Sequence, residues 1–123
     1  MLKLMTIFAA TLSVQAFATN GATIKVVCAI DDLAGHPTNA MDPTTFQVEP
    51  EKDVVVKTYN GVSYELAIYD VGYNEKTRYQ INLAARDPKT KLILGSASVI
   101  FQKEIPEIIF QNGEPILFHC SGI

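Results

Sequence analysis

The stretch "RYQINLAAR" (residues 78–86) sets Tyr79, Ile81, Leu83 and Ala85 on one side of the chain and Arg78, Gln80, Asn82, Ala84 and Arg86 on the other. A period of two is that of an extended strand with one buried face; a helix would scatter the same apolar residues around its circumference. The reading repeats in "VSYELAIYD" (residues 62–70), with Val62, Tyr64, Leu66 and Ile68 facing one way and Ser63, Glu65, Ala67 and Tyr69 the other. The run "KLILGSASVIF" (residues 91–101) is apolar on both sides, which predicts a central strand covered on both faces.

Turn residues join these runs. Asn60-Gly61 tolerates the positive φ of a tight hairpin turn. Asp87-Pro88 has the form of a type I turn, with Pro fixing φ at its first central position. Setting Asp87 against Lys91 places Leu83 opposite Gly95, Ile81 opposite Ala97 and Tyr79 opposite Val99, so that core residues meet core residues, and asks Thr90 to take the left-handed conformation. Further strands are expected in "ATIKVVCAI" (residues 22–30), "DVVVKTY" (53–59), "EIIF" (107–110) and "PILFHC" (115–120), with "TFQV" (45–48) as an optional eighth and with Pro106 and Pro115 at strand starts. About seven short strands and no helical pattern predict an all-β fold: a small antiparallel β-sandwich, with a closed β-barrel as the alternative. Residues 31–45, "DDLAGHPTNAMDPTT", read as the longest loop.

The N-terminal eighteen residues, "MLKLMTIFAATLSVQAFA", combine a basic Lys3, an apolar run over residues 4–14 and the small residues Ala16 and Ala18, the pattern of a secretory signal peptide cleaved before Thr19. The apolar run is shorter than the about 18 residues needed to span a bilayer. The expected organisation is therefore a signal peptide over residues 1–18 and one β-domain over residues 19–123, exported to the periplasm or, alternatively, to the medium. The net charge of −3 at pH 7 becomes more negative once Lys3 is removed, and no basic face stands out, which argues against nucleic acid and anionic lipid as partners.

The chain has two cysteines, Cys28 in the first expected strand and Cys120 in the last. Alternation puts Cys28 with Val26 and Ile30, and Cys120 with Ile116 and Phe118, so both thiols point to the apolar side. In an oxidising compartment the pair is expected to form one disulfide that ties the first strand to the last and closes the fold. A Cys-His nucleophile is the rival reading, but neighbours on a strand face opposite ways, which turns His119 outward, without a partner in sequence, and away from the Cys120 sulfur.

Asp31, Asp32, His36, Asn39 and Asp42 lie close together in the expected loop, yet their spacing fits neither a calcium loop nor a zinc set. No nucleophile elbow, zincin or phosphate-loop motif occurs, and Asp31, Asp53 and Glu65 are carboxylates that only folding could pair. No catalytic, cofactor or metal residue is therefore assigned. All five tyrosines fall within residues 59–79. Tyr69 on an outer face and Tyr73 in "DVGYNEK" are candidates for a recognition surface, since tyrosine offers a rigid contact area with a polar tip. The first expectation is a non-enzymatic module that binds another protein or an envelope component. A small-ligand carrier, which needs a barrel with an unfilled interior, and a metal-dependent or other hydrolase are the alternatives.

Overall fold

A computed structural model describes residues 23–74 and 76–123; the expected signal peptide and its cleavage point lie outside the described residues. Eight strands follow one another: β1 (Ile24–Asp32), β2 (Asn39–Val48), β3 (Val54–Tyr59), β4 (Val62–Asp70), β5 (Tyr79–Arg86), β6 (Ile93–Phe101), β7 (Ile108–Asn112) and β8 (Ile116–Gly122). They form two four-stranded antiparallel sheets, sheet A in the order β2-β1-β8-β7 and sheet B in the order β3-β4-β5-β6. The sheets face each other as a β-sandwich and do not close, which removes the barrel alternative.

Side-chain alternation builds the core. Val26, Cys28 and Ile30 of β1, Ile116, Phe118 and Cys120 of β8, Tyr64, Leu66 and Ile68 of β4, and Ile81, Leu83 and Ala85 of β5 are buried between the layers. Each large apolar side chain so placed contributes about 1.5–3 kcal/mol. The ring of Tyr64 meets that of Phe118 edge to face across the sheets at 5.6 Å. The Tyr64 hydroxyl, which needs a partner at such depth, accepts a 3.1 Å hydrogen bond from Asn112 Nδ2.

The disulfide forms, but within a sheet. Cys28 and Cys120 are direct cross-strand partners on β1 and β8, 4.1 Å apart at Cα, and both are buried. The bond closes a separation of 92 residues by joining the two central strands of sheet A, so the two sheets are held to each other by packed side chains and by hydrogen bonds such as that between Asn112 and Tyr64.

Three expectations need correction. The stretch 31–45 is not one loop: β1 runs on to Asp32 and β2 starts at Asn39, accepting Pro43 because β2 is an edge strand. The optional run at residues 45–48 is thus the C-terminal part of a full eighth strand. The β5–β6 register is offset by two from expectation, with Leu83 opposite Ala97 and Ile81 opposite Val99. Asp87 pairs with Leu92 instead of Lys91, Lys91 and not Thr90 takes the left-handed conformation (φ 68°), and a bulge beside Ala85 takes up one more residue. Two single-residue changes together preserve which side chains face the core. Finally, β6 is not central: it is the outer strand of sheet B, with Ile93, Leu94 and Ile100 exposed.

Candidate functional site

On the solvent side of sheet B the outward residues of β4 and β5 lie in register: Ser63 beside Arg86, Glu65 beside Ala84, Ala67 beside Asn82 and Tyr69 beside Gln80. Ser96, Ser98 and Ile100 of β6 continue the rows from Ala84, Asn82 and Gln80. Ala67, Ala84 and Ser96 are short, so the middle of this face is low. The longer residues at its margins stand above it, and a concavity of about 150 Å³ results, lined by Asp53, Glu65, Tyr69, Asn82, Arg86 and Ile93 together with those three.

Polar contacts fix its walls. Arg86 Nε donates to Glu65 Oε1 at 3.0 Å, and Arg86 also donates to the Lys91 carbonyl at 2.8 Å, anchoring the guanidinium at both ends. The buried Ser63 hydroxyl donates to Glu65 Oε2 at 3.1 Å. Opposite, the half-buried Tyr69 donates its hydroxyl to Asp53 Oδ1 at 3.4 Å. Burial, then the Asp53 carboxylate, raises the Tyr69 phenol above its ordinary value and keeps it neutral. Val55 from β3 and Ile93, Leu94 and Ile100 from β6 expose apolar surface on the flanks. The cavity falls below the about 300–1,000 Å³ typical of small-molecule sites.

Of the sequence candidates, Tyr69 thus forms a wall of the concavity. Tyr73 stands beyond the end of β4, 76% exposed, at the tip of the β4–β5 hairpin where its backbone pairs with that of Lys76. Asp53 and Glu65 do line one cavity, but each has its own partner, while Asp31 lies on the other sheet. The significance of Arg86 and Ile93 escaped the sequence reading, since it depends on the register of three strands.

The acidic cluster around residues 31–42 disperses. Asp32 is buried and accepts from the Ala34 backbone N–H at 3.0 Å and from the Tyr59 hydroxyl at 2.8 Å, linking the two sheets at one corner. That hydrogen bond raises the Tyr59 phenol above its ordinary value. Asn39 donates to Asp42, and His36 is exposed. Asp31 Oδ2 lies 3.1 Å from His119 Nε2 on the outer face of sheet A, so His119 points outward as expected but has a partner, contrary to expectation. Glu107 lies 3.9 Å from the other His119 nitrogen. No group of three metal-ligating side chains comes together among the described residues.

The larger concavities, of about 350, 370 and 430 Å³, are open to solvent and lined by loop and strand-end residues such as Lys103, Glu114 and Thr77. No helix among the described residues is long and apolar enough to cross a membrane. Compared with known proteins, the chain matches no family model, no curated protein and no solved structure.

Proposed function

We propose that this protein is an exported β-sandwich that binds another protein or an envelope component, without catalysis, through the outer face of sheet B. The observation that carries the reading is the concavity walled by Tyr69 and the Arg86–Glu65 pair and flanked by exposed Val55, Ile93, Leu94 and Ile100. Apolar residues gathered around a rigid polar-walled hollow are a pattern of recognition surfaces. The buried disulfide agrees with an oxidising compartment, the periplasm or alternatively the medium, reached by way of the signal peptide over residues 1–18. The acidic balance of the chain favours a protein or envelope partner over nucleic acid.

Affinity capture from the envelope of the exporting cells tests this. The wild-type protein should retain a partner that both Tyr69→Ala and Ala84→Lys lose, with melting temperatures close to wild type because neither side chain is buried in the core. Equal capture by the wild type and both variants would overturn the reading.

A further inference from the structure

A sandwich has four outer strands, and each presents unpaired N–H and C=O groups to any strand that approaches. Three of the four are blunted here. β2 contains Pro43 and has two register breaks against β1. β3 carries Lys57 next to a register break. β7 has only five residues and follows Pro106 and Glu107. β6 differs: its nine residues, Ile93–Phe101, hold no charge and no proline, its bulge is confined to the end beside Ala85, and Ile93, Leu94 and Ile100 are 57%, 52% and 58% exposed.

The order of residues in β6 also says what fits. A two-fold interface requires that residue i of one copy meet residue j of the other while j meets i. About Ala97, the outward row reads the same in character both ways, Ser96 and Ser98, then Leu94 and Ile100, whereas the core-facing Gly95 and Val99 differ in size and the ends are an exposed Ile93 and a buried Phe101. Placed antiparallel with Ala97 on the axis, the outward row sets Leu94 against Ile100 of the copy and Ser96 against Ser98, at both ends alike. Moving the axis to Ser96 would put Leu94 opposite a serine, and moving it to Ser98 would do the same to Ile100; a half-step would set core-facing residues against outward ones.

We infer that β6 pairs with β6 of a second copy of this chain, antiparallel about Ala97, joining the two B sheets into one continuous eight-stranded sheet. Lys91 and Lys103 lie just beyond the strand ends, so the ladder stops at them and the contact is a concentration-dependent association rather than an obligate one. The two concavities then share one face, and the protein presents a paired surface to its partner. The inference shares Ile93, Leu94 and Ile100 with the flank of the proposed binding face, but it rests on the edge of sheet B and not on the Tyr69 wall of the hollow, so the two fail separately.

Sedimentation velocity of the purified oxidised protein over a concentration series should give a mass rising from one chain towards two. Ile100→Lys should weaken that association by about tenfold or more, as expected when a charge replaces an apolar cross-strand contact, whereas Tyr69→Ala should leave it unchanged. Register is read by mild oxidation of chains carrying an added thiol. Ser96→Cys mixed with Ser98→Cys should form a linked dimer faster than either variant alone, because each faces the other across the axis. A single-chain mass at every concentration would overturn the inference, as would cross-linking of the mixture no faster than that of the separate variants. Both serines are exposed, and the unsubstituted chain answers the first question without any variant.

Discussion

Replacing Cys28 and Cys120 by alanine, singly and together, measures how much of the stability depends on one bond. The bond closes a separation of 92 residues, for which the chain-entropy model gives about 4.6 kcal/mol of denatured-state restriction. Both sulfurs are buried, so their removal also leaves a small void, of the order of the about 1 kcal/mol per lost methylene-sized group. Alanine is the better probe because serine would bury a hydroxyl on the core side. Urea unfolding should show a loss of about 3–5 kcal/mol and a steeper denaturant dependence, because a denatured chain without the cross-link exposes more surface. Either single replacement already opens the loop, so the double variant should lie within about 1 kcal/mol of each single one, far from additive. A loss below about 1 kcal/mol, or additive single effects, would show that the pairing of β1 with β8 already confines the chain without the bond.

Gly95→Ala would bring a methyl to 2.8 Å from Phe110 Cζ, and the buried ring has little room to yield; a loss of about 1–2 kcal/mol in urea unfolding is expected, and an unchanged midpoint would show that the ring moves aside. Asp32→Ala removes the acceptor for Ala34 N–H and the Tyr59 hydroxyl, and should cost about 2–3 kcal/mol in the same assay. The phenols of Tyr59 and Tyr69 hold their protons above the ordinary value in the fold, so the unfolded chain loses its phenolic protons first: their contribution is complete below about pH 10 and is lost as pH rises through the folded values. Melting temperatures between about pH 9 and about pH 11 should fall less steeply for Tyr59→Phe than for the wild type. His36→Ala should change stability by no more than about 0.5 kcal/mol, as for a surface residue; a loss reversed by added metal ions would restore the loop as a metal site.

The strands with one wet face were legible because their chemistry is local. Alternation in residues 78–86 and 62–70 fixed which side chains of β5 and β4 are buried, Asn60 and Gly61 take the positive φ expected of them (50° and 74°), and the two cysteines meet. What failed depended on neighbours. Apolar residues on both faces of β6 predicted a covered strand, but the sequence does not say whether the cover comes from the same chain. The first half of β2 was hidden by Pro43, Asn39 and Asp42, residues that an outer strand tolerates and an inner one does not. The β5–β6 register turned on loop detail: Asp87 Oδ1 accepts from the Lys89 and Thr90 backbone N–H groups, which lengthens the turn and passes the left-handed position to Lys91. The site was half legible, since Tyr69 could be placed on the outer face by alternation but its companions Arg86, Asp53 and Ile93 come from three other strands and loops.

Site-specific photo-crosslinking in the exporting cells tests the binding face most directly. A photoreactive residue at Ala84, in the hollow of sheet B, is compared with one at Lys25, which is exposed on the outer side of sheet A. The account predicts that Ala84 captures a defined protein or envelope species, with an adduct mass different from that of a linked pair of this chain, and that Lys25 does not. Capture of the same species from both positions, or from Lys25 alone, would contradict it.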